Sequence, residues 1–155
     1  MTAIRRATAA DVPDMLRFLA SMAQEAGETV GSTETSLLTH GFGATPRFQS
    51  LIAEGPNGPL GMILYFPEYS TWRGEMGLFV QDIYVSPQGR GLGLGRKLLA
   101  AAMAHADWAP QFLTLIVAHQ NSSARAFYDA LGLTPRDQAD QLILEGAGLS
   151  ALITR

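Results

Sequence analysis

A mixed α/β fold, with a mostly antiparallel sheet flanked by helices, is what this sequence predicts. Three observations carry the prediction. Short apolar runs and amphipathic stretches at helical spacing follow one another along the chain. Residues 55–59 (GPNGP) are a strong turn signal between two apolar runs, so the first half forms an antiparallel hairpin. Residues 80–99 (VQDIYVSPQGRGLGLGRKLL) read as strand, glycine-rich turn and helix, the opening of a βαβ crossover to a parallel strand.

At 155 residues, with 47% apolar and 16% charged residues, the chain can bury a real core as a single domain, residues 1–155. A net charge of −3 with no basic stripe argues against a nucleic-acid binder. The absence of cysteine rules out disulfides and thiolate metal sites. MTAIRRATAADVP has no apolar signal region and no run reaches membrane length, so a cytoplasmic protein without membrane association is expected.

In order, residues 4–8 are the first strand. Thr8 or Asp11 caps a helix over residues 11–25, with Pro13 in its first turn, Met15, Leu16, Leu19, Met22 and Ala23 on its apolar face, and Gly27 as its stop. A short second helix covers residues 33–39, capped by Ser32 or Thr33 and stopped at Gly41, and residues 43–47 turn. Residues 48–54 (FQSLIAE) and 60–66 are the hairpin strands. Residues 69–77 form a loop carrying Tyr69 and Trp72. Residues 78–85 are the next strand, apolar on one side, and 95–106 a buried helix rich in Leu, Ala and Met. Residues 112–118 (FLTLIVA) contain so few polar groups that a central, doubly covered strand is expected. A helix over 122–131 stops at Gly132. Residues 141–145 are a candidate last strand, and 149–153 a strand or short helix.

The glycines at 91, 93 and 95 follow Arg90 directly. They leave backbone N–H groups unshielded at the positive end of a helix, an anion site suited to phosphate or pyrophosphate. A dinucleotide-binding fingerprint fits poorly, because the turn is not in a first βαβ unit. A P-loop is excluded, since no Gly-Lys-Ser/Thr follows.

Arg90-x-x-Gly93-x-Gly95, preceded by Val85-x-Pro87, resembles the coenzyme A pyrophosphate motif of the GNAT superfamily of N-acetyltransferases. Asn121, Ala124, Phe127, Tyr128, Leu131 and Gly132 (NSSARAFYDALG) resemble the next motif of that superfamily, in the right order and spacing. The resemblance implies the GNAT fold, whose central strands splay apart to admit the cofactor. SLLTHGFG, FQSLIAE, YSTW and residues 80–95 look like the diamine and spermidine/spermine acetyltransferase branch, and more like its thialysine-acetylating relatives.

The resemblance implies a set of roles. Backbone groups of Ile83, Tyr84 and Val85 would hold the pantetheine arm of acetyl-CoA and polarise its thioester. Arg90, Gly91, Leu92, Gly93, Leu94 and Gly95, with Arg96 beside them, would bind the pyrophosphate. Asn121 would fix its helix start and hydrogen-bond the cofactor arm, with Ala124 alongside; a plain N-cap is the other reading. Tyr128 would be the general acid, since a phenol with a pKa of about 10 stays protonated at neutral pH. Its alternative is packing beside Phe127.

The acceptor ammonium must lose a proton, and the polyamine branch places carboxylates for this. Here Gln81 stands where that branch carries Glu, and Ser70 where it often carries Asp, while Asp82 remains. Deprotonation by Asp82 or through water are both open. Glu25, Glu28 and Glu34 lie where the family's substrate loop begins, or are solvated charges. Trp72 and Tyr69 line the amine pocket by cation–π contact, or serve a core or dimer interface. His40, His105 and His119 show no metal-ligand spacing, so no metal is expected. His105 reads as structural, and His119 as structural or a proton relay. The expectation is an acetyl-CoA-dependent N-acetyltransferase, a homodimer, acting on the primary amine of a diamine, polyamine or lysine- or thialysine-like molecule. The alternatives are a protein or peptide N-acetyltransferase and a non-catalytic acyl-CoA sensor.

Overall fold

The computed structural model describes residues 1–136 and 139–154. They divide into two compact units, Met1–Ile116 and Val117–Arg155. The first unit holds a five-stranded sheet of β1 (Ala3–Arg6), β2 (Gln49–Gly55), β3 (Gly58–Ser70), β4 (Glu75–Val85) and β5 (Leu113–Leu115), in that spatial order. Strands β1 to β4 pair antiparallel and β5 pairs parallel to β4. Three helices belong to this unit: α1 (Val12–Ala26), α2 (Glu34–Phe42) and α3 (Leu94–His105). The expected mixed, mostly antiparallel sheet with a crossover after the glycine turn is what forms.

Strand alternation sorts the core into two layers. Ile52, Met62, Leu64 and Tyr84 face α1 and α2, packing with Val12, Met15, Phe18, Leu19 and Leu37. Leu51, Ala53, Ile63 and Tyr65, one residue out of step, are buried on the opposite face. There α3, which packs on the first four strands, buries Leu94, Leu98, Leu99 and Ala102. Each fully buried large side chain of this kind contributes about 1.5–3 kcal/mol.

Both expected caps at the first helix are used. Thr8 is the N-cap of a single 3₁₀ turn over Ala9–Asp11, and Asp11 is the N-cap of α1. The buried Asp11 carboxylate accepts from both terminal nitrogens of Arg5 at 2.9 Å and from the Thr8 N–H at 2.7 Å. The hydrogen bond from Arg5 holds its pKa below the usual carboxylate value. An Asp11→Ala variant is expected to lose about 2–3 kcal/mol in urea unfolding, because one change removes a fork-like ion pair and a cap. The stability this carboxylate contributes is present above the unfolded-chain pKa of about 4. It is lost as pH falls through the lower folded value.

Several elements differ from the sequence reading. Helix α2 runs through Gly41 and ends at Gly43, and the Phe48 ring occupies the space where a Gly41 side chain would stand. The residue serves packing there, not termination. The loop expected over 69–77 is mostly strand: β3 extends to Ser70, β4 begins at Glu75, and four residues turn between them. The strand expected over 112–118 is only three residues long. It lies at the edge of the sheet, not its centre, and Ile116 beyond it is exposed. Its apolar composition resembles that of a covered strand, but among the described residues its one partner in the sheet is β4.

The second unit contains α4 (Ser122–Ala130) and α5 (Gly146–Ile153). Gly132 follows α4 with φ of 93°. Residues 141–145 form no strand; Leu142, Ile143 and Leu144 are exposed there. Of the two readings for residues 149–153, helix is the one adopted.

Candidate active site

Strand β4 carries five of the candidate site residues, Gln81, Asp82, Ile83, Tyr84 and Val85. Its pairing with β3 is interrupted: Leu64 lies opposite Asp82 and Tyr65 opposite Val80, so Gln81 is the extra residue of a β-bulge. Two residues before Val80, Leu78 pairs with Leu113, and the pairing with β5 ends at Val80 opposite Leu115. Beyond that point β4 continues to Val85 with no strand pairing on its β5 side among the described residues. The Ser86 N–H donates to the Leu60 carbonyl at 2.8 Å. Alternation from that bond directs the backbone groups of Tyr84 and Asp82 toward β3 and those of Ile83 and Val85 toward the open edge.

The strand runs into a 3₁₀ turn over Pro87–Gly89 and then the glycine turn. Gly91 and Gly93 take φ of 80° and 71°, a left-handed backbone that disfavours a side chain, and both face open space. Gly93 is the N-cap of α3. That helix starts with no side-chain cap and no acidic residue in its first turn, which leaves N–H groups of Leu94, Gly95 and Arg96 directed at solvent or a ligand. Leu94 is buried and anchors the turn, Leu92 is exposed, and Arg96 is exposed at the helix start. This arrangement suits an anion.

Arg90 is engaged elsewhere. Its Nε donates to the Val85 carbonyl at 3.0 Å, its guanidinium pairs with Glu25 at 2.8 Å, and it lies over the Tyr84 ring. The Tyr84 hydroxyl also donates to Glu25, at 3.2 Å. Glu25, read from sequence as a substrate-loop or solvated charge, thus ties the end of α1 to the strand before the turn. Its backbone N–H is engaged as well, donating to the Pro87 carbonyl at 3.3 Å, so the N–H groups left for an anion come from the residues that follow it.

Between the end of α1, α2 and the α1 face of the sheet lies a cleft of about 830 Å³. Its walls are largely apolar, with Leu19, Met22, Leu64, Phe48 and Phe66 among them. Its polar groups include Gln81 and Asp82 from the bulge, Glu28 from the loop after α1, His40 from α2, and Arg47. The bulge brings the two consecutive residues 81 and 82 to one cleft, which regular alternation forbids. Asp82 shares a face with Leu64 and Tyr84 and is half-buried; loss of solvent pushes its pKa up.

Tyr69 and Trp72 are not brought to this cleft. They sit at the β3–β4 hairpin, Tyr69 largely exposed and Trp72 fully so, which corrects the core reading for both. Ser70 stays at that hairpin, its hydroxyl accepting from the Arg73 N–H.

In the second unit, Asn121 is the N-cap of α4, accepting from the Ala124 N–H at 3.2 Å. The N-cap reading is therefore met, and it leaves the Asn121 side-chain amide N–H groups available. Tyr128 is half-buried with its ring 5.2 Å from that of Phe127, and burial pushes its phenol up from 10. Among the described residues no group of three or more His, Asp or Glu could hold a metal, and no helix is long and apolar enough to cross a membrane.

Sequence reasoning passed over His40 and Arg47 as cleft residues and Glu25 as the partner of Arg90. No local pattern marks them, because α2, the end of β2 and the end of α1 meet only in three dimensions. The bulge at Gln81 has no residue signature either.

The acetyltransferase (GNAT) family model matches residues 13–133. A thialysine N-epsilon-acetyltransferase of Bos taurus is 34% identical over 148 residues, 88% of this chain and 86% of that protein. The spermidine/spermine N(1)-acetyltransferase-like protein 1 of Homo sapiens is 36% identical over 105 residues, 62% of this chain and 15% of that protein. An integron cassette protein of V. cholerae superposes with a TM-score of 0.81 at 19% identity, over 99% of this chain and 98% of that one.

Proposed function

This chain belongs to the acetyltransferase (GNAT) family, and from that premise we propose that it moves an acetyl group from acetyl-CoA to the primary amine of a small molecule. One observation carries the reading: a single strand, β4, holds a half-buried carboxylate in a cleft and leads along an open edge into an uncapped helix start. The cleft suits an amine with an apolar stem, the open edge an extended arm, and the helix start a pyrophosphate.

Acetyl-CoA supplies the activated acyl group. The outward backbone groups at Ile83 and Val85 hold its arm, and N–H groups from the glycine turn and the start of α3 meet its phosphates. Asp82 takes the proton that the acceptor ammonium must lose, and its raised pKa makes it a stronger base than an exposed aspartate. The neutral nitrogen then attacks the thioester carbonyl, the C–N bond forms, the C–S bond breaks and the nitrogen's second proton leaves to water, which restores the proton that Tyr128 gives up. Tyr128 gives its proton to the departing sulfur; burial keeps the phenol protonated at neutral pH. Gln81 and Glu28 orient the acceptor. The diamines, polyamines and lysine-like amino acids suggested by the names of the relatives are the acceptor class.

Incubation with acetyl-CoA and a panel of small amines, followed by thiol release and product mass, tests the reading. Turnover of at least one small amine is expected. No turnover on any of them overturns it: acetylation of peptides alone would favour a peptide acetyltransferase, and acetyl-CoA binding without transfer a sensor.

A further inference from the structure

We infer that the acceptor carries a carboxylate remote from its reacting amine, and that Arg47 receives it. The inference rests on the amine-acetylation reading and narrows its substrate class.

A groove built for a polyamine would present carboxylates along its length. This cleft presents two, Asp82 and Glu28, set against Arg47 and His40. Arg47 forms no ion pair among the described residues, although its exposed side chain lines the cleft. Its backbone is fixed, because its N–H donates to the His40 carbonyl at 2.6 Å and ties it to α2. Its neighbour Phe48 contributes to the wall and packs edge-on against Phe42. The guanidinium is permanently charged and shaped to take a carboxylate with two hydrogen bonds.

Register places the two polar ends apart. Asp82 lies opposite Leu64 on β3, and Leu64 lies opposite Ser50 on β2. Phe48, two residues before Ser50, is therefore two strand spacings across and two residues along from Asp82, roughly 12 Å between Cα atoms. Arg47 is the next residue out. The short Asp82 side chain and the long Arg47 side chain close much of that span, leaving room for a chain of lysine length with apolar walls around its methylenes. A diamine of the same length would bring a second ammonium toward a cation instead.

Three primary amines separate these cases: lysine, 6-aminohexanoate and 1,5-diaminopentane. The last is lysine without its carboxylate, and 6-aminohexanoate is lysine without its α-amine. We expect kcat/KM for both carboxylate-bearing amines to exceed that for the diamine by about tenfold or more. Arg47→Gln is expected to erase that ratio through KM, and Arg47→Glu to turn it toward the diamine, with circular dichroism confirming the fold of each variant. Equal use of diamine and lysine by the native protein, or an unchanged ratio in Arg47→Gln, overturns the inference while leaving acetyl transfer intact. Failure to acetylate any amine overturns acetyl transfer itself, and this inference with it.

Discussion

An Asp82→Asn variant is expected to lose about 100-fold in kcat/KM at neutral pH and, at the same pH, to unfold at a higher urea concentration than the native protein. The activity loss follows from removing a positioned base, an effect of about 10²–10⁴-fold. The stability gain follows from burial. Loss of solvent raises the folded pKa of Asp82 above its unfolded value. The folded state therefore holds this proton more tightly, and stability falls as pH rises from the unfolded pKa of about 4 through the folded one. Above that window the native chain bears the cost of a desolvated carboxylate, and asparagine does not. The gain must vanish near pH 3, where both side chains are neutral. A variant that keeps full activity, or that is less stable at pH 7, contradicts this account of the cleft. The native enzyme should also gain activity as pH rises through the Asp82 pKa, read from kcat/KM against pH.

A Tyr128→Phe variant is expected to lower kcat by about 100-fold with little change in KM for the amine, because the hydroxyl acts on the departing sulfur rather than on the bound acceptor. Burial lifts the phenol above its ordinary value, so its deprotonation limits the native enzyme only at alkaline pH. The phenylalanine ring keeps the contact with Phe127, so the fold should be unaffected. Full activity in this variant near neutral pH would return Tyr128 to a packing role. A donor thioester with a more acidic leaving thiol should narrow the gap between variant and native enzyme, a readout that a packing defect would not reproduce.

Much of the fold was legible from local pattern. Met15, Leu19 and Met22 recur at the spacing of one helical face, GPNGP marks the β2–β3 turn, and Gly91 and Gly93 mark a left-handed turn of the backbone before a helix. These features depend on neighbours within a few residues, so sequence carries them. The same holds for the glycine turn ahead of an uncapped helix start and for Asn121 as a cap. Tertiary structure decided the rest. Residues 112–118 have the composition of a central strand, yet only three pair, because strand position depends on which partners the sheet supplies. Gly41 has the identity of a helix stop, yet it lies inside the helix, where the Phe48 ring fills the space a side chain would take. The acceptor cleft is the clearest case. Asp82 was visible as a carboxylate, but a bulge turned it and Gln81 to one side, and Arg47 joined them from another strand's end. The proposed donor site, made of consecutive backbone groups, is written in consecutive residues. An acceptor site assembled from side chains on four separate segments exists only once the chain has packed.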